Sequence, residues 1–227
     1  MNKDENTEVL RSIATELGIP VFGVADVRGI RDTFLIEPRS IIDGLDYAIV
    51  IGMRLSDSLM DSLVDRPTKT YQYHYRETNR FLDNVSLRLV SEIQRQGKRA
   101  FPIPASQIID WEKRRGHLSH ILVGVHAGLG WAGRSRLLVN PLYGARVRYA
   151  TVLTDMPLAC AGVLEFGCGE CRACIVGCPA GAIGETREEF NLQKCLDTIR
   201  LFVKTENIGT EICGLCVKAC RGKKNAV

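Results

Sequence analysis

Cys168-Gly-Glu-Cys171-Arg-Ala-Cys174-Ile-Val-Gly-Cys178-Pro179 is the stretch that decides how the chain is read, and Cys213-Gly-Leu-Cys216-Val-Lys-Ala-Cys220 answers it near the end. The first run has the C-x2-C-x2-C-x3-C-P spacing, in which three close thiolates hold one iron–sulfur cluster while the fourth cysteine reaches across to a second. Two four-iron clusters need eight thiolates, and Cys168, Cys171, Cys174, Cys178, Cys195, Cys213, Cys216 and Cys220 supply them with none over. By the crossing rule, Cys168, Cys171 and Cys174 close one cluster with Cys220, and Cys213 and Cys216 close the other with Cys178 and the outlying Cys195. The ninth cysteine, Cys160, stays outside and reads as a buried apolar residue.

A zinc ribbon or a disulfide framework also uses paired C-x2-C units. Neither gives a reason for the third cysteine at the same spacing, or for the cysteine set before a proline. Cubane clusters account for more of the pattern.

At 227 residues and 45% hydrophobic content, the chain can bury a sizeable core in one or two domains. Eight of the nine cysteines fall after residue 165. That bias predicts a cofactor, substrate or partner domain over 1–157 and a small cluster-binding module over 158–227 that needs its metal to fold. The start, Met1-Asn-Lys-Asp-Glu-Asn, lacks the basic and apolar regions of an export signal. The apolar runs are too short to span a bilayer, and thiols committed to iron suit a reducing compartment, so the expected location is the cytoplasm with no membrane partner. The formal charge of +4 treats the cysteines as neutral. Two clusters at roughly −2 each bring the loaded chain near zero, so net charge gives no argument for nucleic acid. Lys113-Arg114-Arg115 and the tail Arg221-Gly-Lys223-Lys224 are local basic patches that read as solvated surface.

Val9, Leu10, Ile13, Ala14 and Leu17 recur at helical spacing, with Gly18 as a stop. Ile19 to Ala25 and Leu45 to Met53 read as strands. From Lys69 to Gln96 there is no proline or glycine, and the stripe Leu82, Val85, Leu89, Ile93 predicts the longest helix. Tyr71, Tyr73 and Tyr75 with His74 at its start are expected to pack rather than line a pocket. Ala100 to Ala105 is expected to be extended, His117 to Leu129 helical, and Ala145 to Leu153 a strand with Arg146 and Arg148 on one face. Between the last two, Gly128, Gly130 and Gly133 surround Trp131. That loop could bring backbone close to a flat cofactor, or form a tight turn around a packed Trp. His117 and His120, a helical turn apart, could grip a metal or donate a proton, while surface polarity explains them equally well.

At Ala127-Gly-Leu-Gly-Trp-Ala-Gly133, then Leu137-Leu-Val-Asn-Pro141, Tyr143-Gly144 and Leu153-Thr-Asp-Met-Pro-Leu158 into the cysteine run, the sequence resembles the epoxyqueuosine reductase family, over about residues 105 to 220. The resemblance implies an α+β fold: a nitroreductase-like, corrinoid-binding domain followed by a bacterial two-cluster ferredoxin-like module, related to reductive dehalogenases. It implies a relay in which a donor such as ferredoxin or flavodoxin feeds two [4Fe-4S] clusters that reduce a cobalamin, which acts on the substrate. In this relay Gly128, Gly130, Trp131 and Gly133, with Tyr143, match the surroundings of the cofactor.

Members acting on tRNA carry a proton-donating aspartate in an Asp-x-x-Pro-x-x-Glu-Arg setting. This chain has Ile109-Asp110-Trp-Glu-Lys-Arg-Arg-Gly-His117-Leu-Ser-His120, so Asp110 is the nearest counterpart, further upstream, with Glu112, His117 and His120 as other donors. Arg221 stands where proline often follows the last cysteine, and the helical repeats of many tRNA-acting members do not follow Cys220. The expected function is a cytoplasmic iron–sulfur reductase acting on a small molecule or modified nucleoside. The alternatives are an electron-transfer protein that reductively activates a partner such as a corrinoid protein and, less favoured, epoxyqueuosine reduction in tRNA itself.

Overall fold

The structure, a computed structural model, describes residues 2–222, so Lys223 and Lys224 of the basic tail lie outside the described residues. The chain groups into two compact units, each discontinuous in sequence. One comprises Met1–Met53, Thr78–Leu129 and Arg148–Leu164; the other comprises Arg54–Glu77, Gly130–Val147 and Glu165–Val227. The boundary expected at 157/158 is a single cut, whereas the cysteine-bearing unit also draws in residues 54–77 and 130–147.

The first unit is built on a sheet of order β1-β2-β6-β3, mixing helices and strands as an α+β fold does. Helix α1 (Lys3–Glu16) starts at a capping box. The Asn2 side chain accepts from the Glu5 N–H at 2.9 Å, and the Glu5 carboxylate accepts from the Asn2 N–H at 3.0 Å. Strand β1 (Val21–Asp26) pairs antiparallel with β2 (Tyr47–Arg54), Val21 opposite Gly52 and Asp26 opposite Tyr47. Strand β3 (Ala100–Ile103) pairs antiparallel with β6 (Val147–Thr154), Ala100 opposite Thr154. Arg146 therefore precedes the strand in which it was expected to lie, and only Arg148 is within it.

The predicted longest helix is α3 (Lys69–Arg95). Its Leu82, Val85, Leu89 and Ile93 enter one core with Leu10 and Ala14 of α1, Ile49 and Ile51 of β2, and Ala150 and Val152 of β6. The strand residues are spaced by two and the helix residues by three and four, the periods that put each set on one face. Leu89 is wholly buried, so Leu89→Ala should cost about 2–5 kcal/mol through lost contacts and a cavity. Anaerobic urea unfolding checks this as a lower midpoint at unchanged slope.

The second unit has its own core of Leu55, Met60, Leu63, Tyr71, Ile208, Ile212 and Leu215. It includes α2 (Asp57–Ser62) and the short hairpin of β4 (Trp131–Ala132) and β5 (Leu138–Val139), with Trp131 opposite Val139. Tyr71 packs in this core while Tyr73 stays exposed. Arg146, 2% exposed, is the polar centre. Its Nη1 donates to Asp57 Oδ1 at 3.1 Å, its Nη2 to Asp61 Oδ1 at 2.8 Å and its Nε to the Lys218 carbonyl at 3.2 Å. Arg221 reaches the same Asp61 Oδ1 at 2.6 Å. These guanidinium groups hold the Asp61 carboxyl below its usual pKa. Among the described residues no helix is long and apolar enough to cross a membrane.

Candidate metal centre

The eight cysteines all lie in the second unit. Cys168 and Cys171 occupy the loop before α5 (Ala173–Val176), Cys174 is on α5, and Cys178 follows it. Cys195 is on α6 (Leu192–Thr205), Cys213 and Cys216 flank the start of α7 (Leu215–Ala219), and Cys220 closes it. Burial is the largest cause of a raised thiol pKa at five of them, Cys174, Cys195, Cys213, Cys216 and Cys220. Cys174 is raised by burial and then by Cys220, Cys168 and Cys171; Cys220 is raised by burial, opposed by backbone N–H bonds, and then by Cys168 and Cys171. Cys195 is raised by burial and Cys178, and Cys213, chiefly by burial, is pushed up to about 11 with Cys195 and Cys178 adding to it. Cys216 is pushed further still, by burial and then by Cys213, Cys195 and Cys178 ahead of Cys174.

The thiols thus form two neighbourhoods, Cys168/Cys171/Cys174/Cys220 and Cys178/Cys195/Cys213/Cys216. The first set lines a cavity of about 50 Å³ together with Trp131 and Gly133. Among the described residues no three His, Cys, Asp or Glu side chains gather as ligands of a single ion.

Residues outside the cysteine motif hold the first set. Arg134 donates from Nη1 to the Cys171 carbonyl at 2.6 Å, from Nη2 to the Gly169 carbonyl at 2.7 Å, and from Nε to the Glu185 carbonyl. Gly144, at φ 63°, packs so tightly that a Cβ would lie 2.2 Å from the Cys220 carbonyl oxygen and 2.4 Å from the Gly222 nitrogen, so only glycine fits beside the last thiol. Trp131 donates its Nε1–H to Cys168 Sγ at 3.4 Å. In the second set the Ala182 N–H donates to Cys178 Sγ at 3.4 Å. Arg134 was not singled out from the sequence, and Gly144 was quoted only within the Tyr143-Gly144 stretch, with no role assigned. The hint for Arg134 was that it adjoins Gly133 of the glycine-tryptophan stretch.

The residues matched to a corrinoid site meet the chain itself. A Cβ at Gly128 would sit 2.7 Å from the Gly162 carbonyl oxygen, one at Gly130 2.0 Å from that of Val139, and one at Gly133 2.6 Å from Val139 Cγ2. Trp131 is buried, tilted against Phe166 at 6.4 Å between centroids, and Tyr143 lies under the Arg54 guanidinium, 5.0 Å from it. The glycines thus bring the backbone of this loop against Val139 and Gly162.

In the first unit the helix expected over 117–129 is only α4 (His120–His126). Ser119 sets its start by accepting from the Leu122 N–H at 3.2 Å. His117 lies before the helix and its Nδ1 meets the Leu35 carbonyl at 3.1 Å, so the expected His117/His120 helical pair does not form. His120 is buried between the Pro104 carbonyl, 3.0 Å from Nε2, and Thr151 Oγ1, 2.7 Å from Nδ1. A carbonyl only accepts, so Nε2 carries the proton and Nδ1 takes the Thr151 hydroxyl hydrogen. Asp110 bridges to Arg115 across a tight turn, its Oδ1 accepting from the Lys113 N–H at 2.9 Å, with Arg114 at φ 53°. A cavity of about 210 Å³ lies nearby, lined by Pro104, Gln107, His117 and His120 among others but not by Asp110. It is smaller than the ~300–1,000 Å³ usual for drug-sized ligands. Cys160, expected to be buried, is exposed.

Burial pulls the His120 pKa down to about 4, with the Arg148 charge adding to it against the Pro104 carbonyl. The unfolded side chain, near 6.5, takes up its proton first, so stability is full above about pH 6.5 and falls as the pH drops toward 4. The fall should be on the order of 3 kcal/mol. Urea midpoints at pH 7 and pH 5 should differ for the native chain, and His120→Gln should remove much of that difference.

No family model matches the chain. Among curated proteins it is similar to the epoxyqueuosine reductase of Leadbetterella byssophila, 29% identical over 178 residues that cover 75% of this chain and 53% of that protein. It is also similar to the epoxyqueuosine reductases of Listeria monocytogenes, 35% identical over 82 residues (36% and 21% of the two chains), and Escherichia coli, 44% identical over 59 residues (26% and 16%). The match spans about half the length of the first of these and less of the others. Among solved structures, the catabolic reductive dehalogenase NpRdhA in complex with 3-bromo-4-hydroxybenzoic acid aligns with a TM-score of 0.75 at 18% identity, over 99% of this chain and 33% of that one. An epoxyqueuosine reductase from Bacillus subtilis aligns with a TM-score of 0.64 at 19% identity, over 98% and 66%. At these identities the likeness is one of fold, and together with the curated relatives it upholds the resemblance to epoxyqueuosine reductases.

Proposed function

We propose that this epoxyqueuosine reductase-like chain is an iron–sulfur oxidoreductase that holds two [4Fe-4S] clusters, one on Cys168, Cys171, Cys174 and Cys220 and the other on Cys178, Cys195, Cys213 and Cys216. The observation that carries the reading is the separation of eight thiols into two sets of four, the same sets that the crossing rule gives from spacing. Clusters held there would take up and pass on one electron at a time. The chain's part is to hold the sulfurs in place through Arg134 and Gly144 and to direct N–H groups at sulfur.

The donor in this reading is a small one-electron carrier such as ferredoxin or flavodoxin, and the setting is the reducing cytoplasm. One of the solved neighbours is described as showing a mechanism for B12-dependent dehalogenation. In this chain a Cβ at Gly128, Gly130 or Gly133 would meet neighbouring protein atoms, Trp131 is buried, and Tyr143 lies under the Arg54 guanidinium. That packing favours a second reading, in which the chain passes electrons to a partner, for example a corrinoid protein, rather than to a substrate of its own. Asp110 remains the proposed proton donor for the enzymatic reading, with tRNA the least favoured substrate.

Anaerobic reconstitution with iron, sulfide and cobalamin separates these readings. About eight iron and eight sulfide atoms per chain after desalting support the two-cluster reading, and about four would end it. Corrinoid absorption that survives desalting would restore the corrinoid enzyme, and its absence leaves the electron-transfer role favoured.

A further inference from the structure

Trp131 is one of two tryptophans in the chain, and it is 6% exposed while Trp111 is 66% exposed. Its ring is walled in by Phe166, and the polar edge of the indole is turned to sulfur, with Nε1 3.4 Å from Cys168 Sγ. The hairpin explains the aim. Trp131 opens β4 and pairs with Val139 of β5, and three residues later Arg134 fastens the loop carrying Cys168 through the Gly169 and Cys171 carbonyls. The donor and the loop bearing the acceptor are thus held by the same few residues. A buried indole N–H needs a partner, and no oxygen is recorded as one here.

We propose that Trp131 is a tuning residue for the cluster on Cys168, Cys171, Cys174 and Cys220, raising its reduction potential through an indole N–H···S hydrogen bond to Cys168. The inference rests on the two-cluster reading. An oxidised cluster with its four thiolates carries roughly −2, and the added electron makes it more negative. A fixed N–H dipole pointing at a ligand sulfur stabilises the more negative state more, so the potential rises. Among the described side chains no such donor is recorded for Cys178, Cys195, Cys213 or Cys216; the sulfur bonds recorded for that set come from the Ala182 and Leu215 backbone, which substitution leaves intact. The effect should therefore be confined to one cluster and should bias the electron toward it.

The test is a redox titration of the anaerobically reconstituted full chain followed by EPR. Trp131→Phe keeps the bulk and removes the donor. One of the two midpoint potentials should move to lower values, the other should stay, and Trp111→Phe should move neither. A Trp131→Phe chain with full iron and both midpoints unchanged overturns the inference while leaving the two-cluster reading intact. A native chain without about eight iron atoms sinks the reading itself. Should the variant fail to load, indole-15N labelling of the native chain decides. A 15N coupling to the reduced cluster that persists in Trp111→Phe supports the bond, and its absence refutes it.

Discussion

Removing Cys171 and Cys174 together, as alanines, should cut the iron held by the reconstituted chain from about eight atoms to about four, and removing Cys213 and Cys216 should do the same. Each pair comes from a different thiol neighbourhood, and two sulfurs cannot retain a cubane. The remaining signal should differ between the two variants, because each keeps the opposite cluster. Iron analysis and low-temperature EPR of the dithionite-reduced proteins read this directly. Loss of all iron in both variants would mean that the eight thiols form one cooperative site. Cys195→Ala is the sharper single change, because Cys195 lies apart from both runs and sits on α6 within the second set. It should disturb that cluster and leave the spectrum of the other unchanged.

The second large effect is expected at Arg146. Its guanidinium is almost wholly buried and meets two carboxylates and one carbonyl. Breaking a buried ion pair by removing one partner costs about 3–5 kcal/mol, because the other charge is left uncompensated. Here the aspartate side chains are 42% exposed, so water recovers part of the loss and Arg146→Met should cost about 2–4 kcal/mol. Asp61→Asn should cost less, since Asp57 and the Lys218 carbonyl remain. Anaerobic urea unfolding monitored by circular dichroism measures both, and a loss under about 1 kcal/mol for Arg146→Met would contradict the account. The Arg146 bond to the Lys218 carbonyl is on the last turn before Cys220, so the variant should also lose iron faster to a chelator.

Where a single period or a single spacing governed an element, the sequence was enough to find it. Helix α3 was legible because Leu82, Val85, Leu89 and Ile93 all face one core. The proposed thiol sets rest on the same kind of spacing, because crossing is a property of the motif. Legibility failed where a local hydrogen bond outweighed the pattern. Ser119 begins α4 three residues later than the apolar run suggested, and that detaches His117 from His120. It failed again at the glycine-tryptophan loop. Glycines there were consistent with a bound cofactor or with the chain's own backbone, and only coordinates show Val139 and Gly162 in that space. The discontinuity of the second unit was hidden for a related reason. Residues 54–77 and 130–147 carry no cysteine, yet Arg134, Gly144 and Arg146 come from the second of these segments.

Arg134 bears on how such a centre is filled and refilled. Its three bonds to the carbonyls of Gly169, Cys171 and Glu185 involve no sulfur, so they form whether or not iron is present. Holding a loop residue in one backbone conformation costs about 1–2 kcal/mol of entropy, and these bonds offset part of that cost before any metal arrives. The loop is then a mould rather than a wrapping. If the proposed cluster were lost to oxygen, its outline would stay behind, and a replacement delivered whole would be accepted without the loop ordering afresh around it.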